Sequence, residues 1–197
     1  MENTSAFFVI AVVGLAGSGK TEIVRYLEGK GLPKVYFGGP VFAEMKKRGL
    51  PISETNERAV RLELRKTHGM AAMAVLCLPQ IEKYYETNHV IIESHYSWEE
   101  YLVLRKRFVD KFKIIAAYAP PHIRYARLAD RPHRSLTAPE AWARDKSQIE
   151  DSHQAGPIAM ADYTIDNQST LQYLHEQTEK AYQNILSKTP VSSHRNT

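Results

Sequence analysis

Residues 14–21 read Gly-Leu-Ala-Gly-Ser-Gly-Lys-Thr, an uninterrupted G-x-x-x-x-G-K-[ST]. This loop constrains the fold strongly, because it works only between a strand that buries it and a helix that it opens. Both flanks are present. Residues 7–13 (FFVIAVV) read as a buried strand, and residues 20–30 as a helix with Ile23, Val24 and Leu27 on one face. Glycines let the backbone curl so that its N–H groups converge on an anion. The helix N-terminus adds partial positive charge at the same point. Gly14, Ala16, Gly17, Ser18, Gly19, Lys20 and Thr21 therefore form the expected cradle for a nucleotide's phosphates. Lys20 reaches the β- and γ-phosphates, and the Thr21 hydroxyl is placed to ligate Mg²⁺.

Strand and helix patterns alternate along the rest of the chain. Strands are expected near residues 34–37 (KVYF), 89–94 (HVIIES), 112–118 (FKIIAAY) and 162–166 (DYTID). Helices are expected over 40–49, from a Ser53 or Thr55 cap to about 68, over 70–86 with Pro79 as a kink, and over 98–108, 122–130, 139–152 and 169–186. Strands joined by helices predict an α/β three-layer fold, a five-stranded parallel sheet flanked by helices. One domain over residues 1–188 is expected, with a helical insertion at about 40–86 and a flexible tail at 189–197.

At 197 residues the chain is long enough for a full hydrophobic core. No apolar run is long enough to cross a membrane. The single cysteine, Cys77, lies in an apolar stretch and reads as a buried structural thiol; it fits a reducing cytoplasm. Net charge is +4. No nucleic-acid-binding motif accompanies that excess, so it reads as arginines and lysines aimed at phosphates in a cleft. His68, His122, His133, His153 and His175 have no zinc-type spacing with a cysteine. Trp98 and Trp142 are expected to pack between helices.

Beyond the loop, three stretches carry a resemblance. They are residues 45–74 (MKKRGLPISETN…LRKTHGMAAMA), 123–131 (IRYARLADR) and 143–167 (ARDKSQ…MADYTIDN). With the loop, the chain resembles the P-loop nucleoside monophosphate kinase and dephospho-coenzyme A kinase group, in particular its adenylate-kinase-related archaeal members. The resemblance implies an insertion that holds the acceptor and a short lid at about 131–145. It also implies transfer of the γ-phosphoryl of Mg·ATP to a nucleotide-like acceptor. In that frame Arg127 stacks on adenine, Arg131 reaches the transferring phosphate, Arg144 is the returning lid arginine, and Asn167 lies beside the nucleotide. Arg65, with Arg61 one turn earlier, holds the acceptor's anionic group. Arg124 and Arg134 add charge around the lid.

Glu93 ends a parallel strand, where a carboxylate faces the ligand crevice. It can hold Mg²⁺ through water or accept a proton. The family pattern there is Asp-Gly, often with a nearby arginine; this chain has Glu93-Ser94-His95-Tyr96, which makes His95 a candidate base or acceptor ligand. The loop after the second strand, Gly38-Gly39-Pro40, lacks the aspartate that relatives carry. A phosphate acceptor is already anionic and needs no strong base, so the missing carboxylate favours it over a hydroxyl acceptor. The expected partners are ATP, Mg²⁺ and a small phosphorylated acceptor, with the protein a monomer or homodimer. The rival reading is a nucleotide-binding regulatory protein with weak ATPase activity. A nucleic-acid kinase, which would use the basic excess, ranks third.

Overall fold

Residues 9–13 are apolar on both faces of their strand, which places them inside a sheet covered on two sides. In the computed structural model, which describes residues 6–94, 97–132 and 134–187, β1 (Val9–Val13) is wholly buried. β3 (Val90–Glu93) and β4 (Phe112–Tyr118) flank it. β2 (Lys34–Tyr36) and β5 (Tyr163–Asp166) complete the order β2-β3-β1-β4-β5, with every pair parallel. Side chains alternate along the central strand. Val9, Ala11 and Val13 enter one core with α2 (Gly39–Lys47), α3 (Glu54–His68), α4 (Ala72–Tyr85) and α5 (Trp98–Phe108). Phe8, Ile10 and Val12 enter the other with α1 (Lys20–Glu28) and α9 (Leu171–Ser187). The result is the expected three-layer parallel sheet, and its C-terminal edge gathers the loops after all five strands.

The helices start where local chemistry allows. Ser53 caps α3 by accepting the Asn56 N–H at 3.2 Å, and Ser97 and Glu100 form a reciprocal capping box on α5. α4 runs on through Pro79. A short helix over Ala155–Ala159, α8, follows α6 (Pro121–Ala129) and α7 (Ala138–Glu150) and is not expected from sequence, because Gly156-Pro157 reads as a turn. Tertiary packing holds it: Pro157 is buried, and a Cβ on Gly156 would lie 2.7 Å from the Trp98 ring. Trp98 packs as expected, stacked on Tyr101. Trp142 does not. It is 60% exposed on α7, where Lys146 sits over its ring. The tail 189–197 and His95 lie outside the described residues.

Side chains from several elements hold the phosphate loop. Arg124 on α6 is predicted at the lid, but the structure buries it against the loop. Its guanidinium donates to Ala16 O at 3.0 Å and Ala119 O at 3.0 Å, and bidentately to Asp145 of α7 at 2.8 and 2.6 Å. Gln148, one turn further along α7, accepts the Ala16 N–H at 3.0 Å. Its amide donates to Gln154, whose own amide donates to Gly14 O at 3.2 Å. From the far side, Asn167 Nδ2 donates to Ser18 O at 2.9 Å. Arg127 donates to Asn167 O at 2.9 Å and Gly17 O at 3.4 Å. These contacts leave no room for a side chain at the loop's glycines. Gly17 has φ +80°, and a Cβ there would lie 2.7 Å from Arg124 O; one on Gly19 would run into the Asn167 amide.

A buried, bidentate ion pair is costly to break from one side, because the remaining charge stays desolvated. Asp145→Ala is expected to lower the unfolding free energy by about 3–5 kcal/mol. Lys146→Ala removes an exposed partner of Glu150 and is expected to change it by less than about 0.5 kcal/mol. Urea unfolding of the two variants tests the contrast.

Candidate functional site

Clamped in this way, the loop keeps a set of N–H groups without partners among the described residues. The N–H groups of Gly17, Gly19, Lys20 and Thr21 donate to no acceptor among the described residues. The N-cap of α1 is Gly19, which supplies no side-chain cap and leaves the helix terminus open to an anion. Lys20 Nζ folds back onto Gly14 O at 2.7 Å and Leu15 O at 3.0 Å. Burial lowers the Lys20 pKa to about 7, with the guanidinium groups of Arg144, Arg131 and Arg124 adding to the shift and the Glu93 carboxylate opposing it. The structure thus brings Lys20, Arg131, Arg144 and Glu93 into one electrostatic neighbourhood. Glu93 Oε2 is held by Lys34 Nζ at 3.1 Å, a tether from the neighbouring strand.

Next to this point opens a cleft of about 520 Å³, walled by α2, α3 and α7. Tyr36, Phe37, Val41, Phe42 and Met73 supply its apolar lining, and Arg58, Arg61 and Arg65 of α3 line it together with Arg144 of α7. Arg65 is partly buried and its Nε has no hydrogen-bond partner among the described residues. Burial lowers its proton affinity, the Glu100 carboxylate opposes that, and Arg61 adds to it. Arg134, between α6 and α7, reaches the buried Glu57 of α3 at 3.0 Å.

The residues expected from sequence divide into three sets. Lys20 and Thr21 close the loop, with Arg131, Arg144 and Glu93 near enough to act on the Lys20 charge, and Arg61 and Arg65 line the cleft. Arg127 and Asn167 bond to the loop's own carbonyls. Arg124 is beneath the loop. Gln154, Arg58 and Glu57 carry no expectation from sequence. Only Arg58 leaves a readable trace, at i−3 from Arg61. Cys77 is buried and its thiol is pushed up to about 12. No group of three or more metal-ligating His, Cys, Asp or Glu side chains occurs among the described residues. Thr21 and Glu93 fit a metal that arrives with a nucleotide, because Mg²⁺ takes few protein ligands and completes its shell with phosphate and water. A wider groove of about 720 Å³ lies between α1 and α9, but Glu179 within it is already taken by Lys30 and Tyr26. No described helix is long and apolar enough to cross a membrane.

Comparison with known proteins agrees with this architecture. A family profile described as an AAA domain matches residues 10–151. A UPF0200 protein of Thermococcus onnurineus (strain NA1) is 31% identical over 186 residues, covering 91% of this chain and 99% of that protein. Among solved structures, TT1252 from Thermus thermophilus aligns with TM-score 0.63 at 18% identity, over 90% of this chain and 97% of its own. The shikimate kinase of Acinetobacter baumannii aligns with TM-score 0.57 at 20% identity, over 93% of this chain and 96% of its own. At those identities the structures share the fold, which is that of P-loop kinases. With a relative matched over nearly its whole length and a profile covering most of the chain, this protein belongs to the UPF0200 family and carries an AAA-type P-loop domain.

Proposed function

We propose that the chain is an Mg·ATP-dependent phosphotransferase whose acceptor is a small, nucleotide-like phosphorylated compound. One observation carries this reading. Arg144 lines the arginine-rich cleft and also acts electrostatically on Lys20, so one guanidinium serves both the phosphate loop and the space beside it. A protein that only binds or hydrolyses nucleotide has no use for a second, basic cleft at that position.

The roles follow from charge and reach. Phosphoryl transfer asks a protein for positioning and for positive charge where negative charge moves. The loop amides and Lys20 hold the β- and γ-phosphates. Arg131 and Arg144 flank the phosphoryl group as its bond to the β–γ bridging oxygen breaks and its bond to an acceptor oxygen forms. Arg61 and Arg65 hold the acceptor's own anionic group. Thr21 and Glu93 would hold Mg²⁺, which neutralises phosphate charge when bound. A phosphate oxygen needs no deprotonation, in keeping with the absence of a carboxylate at Gly38-Gly39. Nucleoside monophosphates suit the apolar wall and basic face, and dephospho-coenzyme A, a hydroxyl acceptor, is the alternative within the same class.

ADP release from Mg·ATP, measured against the common nucleoside monophosphates, their deoxy forms and dephospho-coenzyme A, tests the reading. Acceptor-stimulated release is expected, and it names the acceptor. ATP binding with no stimulation assigns the regulatory alternative instead. Arg144→Ala is expected to lower kcat by about a hundredfold or more while ATP affinity changes little, because the group acts mainly on the transition state.

Lys20 supplies a pH signature. In the empty loop its pKa of about 7 leaves it largely neutral above pH 7. A bound phosphate favours the ammonium form and raises that pKa. ATP binding at pH 8 should therefore take up about one proton, and affinity should fall as pH rises from 7 toward 9. Calorimetry in buffers of different ionisation enthalpy measures the uptake. Lys20→Ala should abolish it together with turnover.

A further inference from the structure

The arginines of this chain are unevenly satisfied. Arg25, Arg48, Arg105, Arg107, Arg124 and Arg134 each lie within ion-pair distance of a carboxylate. Arg58, Arg61, Arg65 and Arg144 line the cleft, and none has such a partner among the described residues. Two carboxylates share that lining: Glu57, which is buried and taken by Arg134, and Asp151, which lies within ion-pair distance of none of the four. Glu99 and Glu100 act on Arg65 only beyond ion-pair range.

Three of the four form a row. Arg58, Arg61 and Arg65 stand at i, i+3 and i+7 on α3 and share one face, spread over about 10 Å of helix axis. Like charges at these spacings repel, so the row is a liability until an anion reaches it. One phosphate near Lys20 does not answer the whole row. Arg144 already acts at the loop, and a guanidinium holds a phosphate through parallel, bidentate hydrogen bonds that demand close approach. The N-terminal part of the row, Arg58, is left to bind something else.

We infer that the acceptor carries two separate phosphate groups. One meets Arg144, which acts on Lys20, together with Arg61 and Arg65. The other is held by Arg58, one turn before Arg61 on α3. The class is a nucleoside bisphosphate, with its base or sugar against the Phe37 and Phe42 side of the cleft. Spacing along the helix favours phosphates at separate positions over a contiguous diphosphate. This inference rests on the phosphotransfer reading and extends it to the substrate.

The test uses the full-length protein saturated with Mg·AMP-PNP, so that the phosphate loop is filled. Nucleoside 5′-monophosphates of the four common bases and the corresponding 3′,5′-bisphosphates are then titrated at constant ionic strength. For at least one base the bisphosphate should bind about tenfold tighter or more, the effect of one added charged hydrogen-bonding contact. Arg58→Gln should erase most of that advantage and weaken the monophosphate much less, whereas Arg61→Gln should weaken both ligands. Lys46→Gln removes the same charge from α2 outside the cleft and should leave the advantage in place. Thermal unfolding of the ligand-free arginine variants should show equal or higher stability, since a repulsion is removed. Equal affinity of the two ligand sets, no binding of either, the same loss in Lys46→Gln, or destabilised arginine variants would each overturn the inference while leaving the nucleotide site intact. Failure of AMP-PNP itself to bind would overturn the phosphotransfer reading and this inference with it.

Discussion

Ala16 is gripped from two directions. Its N–H goes to Gln148 and its carbonyl receives Arg124, which is itself locked to Asp145. The loop's left-handed glycines make it intrinsically floppy, and a phosphate cradle works only when its donors are already aimed. The buried Arg124–Asp145 pair supplies the rigidity. It carries two short charge-assisted bonds, with a third to Asp145 from the Tyr125 hydroxyl at 3.0 Å. Because Asp145 and Gln148 sit on α7, that helix is fastened directly to the loop.

The distribution of charge follows from the same arrangement. Away from the site, arginines and carboxylates neutralise one another in exposed pairs that contribute little stability. Around the loop and cleft, positive groups crowd together, and the clearest sign of their field is a buried lysine with its pKa drawn down to about 7. An arrangement that opposes its own stability is expected where a ligand supplies the missing charge. The apolar side of the cleft strengthens that field by excluding water.

Much of the fold was legible in the chain. The loop motif located β1 and α1, and the apolar runs at 90–93 and 112–118 located two more strands, because buried parallel strands leave continuous hydrophobic stretches. The α5 bounds match the pattern because a serine cap precedes it. α8 was not legible, since only the contact of Gly156 with Trp98 explains it. Arg124 and Arg127 lie on α6 and Arg131 just past its end, and spacing alone cannot say which of them turns beneath the loop; the position of Asp145 decides it. Gln154 left no trace, because a neutral amide has no periodicity or charge to betray it and its role exists only once Gln148 of α7 lies against the loop. Trp142 shows the opposite failure, where an apolar residue type was read as a packing site and solvent was the neighbour.

α7 presents Gln148 to the loop while the same helix lines the cleft with Arg144 and Ser147. α3 forms another wall and touches the loop with none of the bonds that hold it. The two walls of one cleft are therefore unequal as material for divergence. Change on α7 is felt at once by the phosphate-binding backbone, whereas change on α3 alters only what the cleft will admit. Within a lineage built on this scaffold, the nucleotide chemistry can stay constant while the choice of acceptor drifts, and the record of that drift would be written on a single helix face.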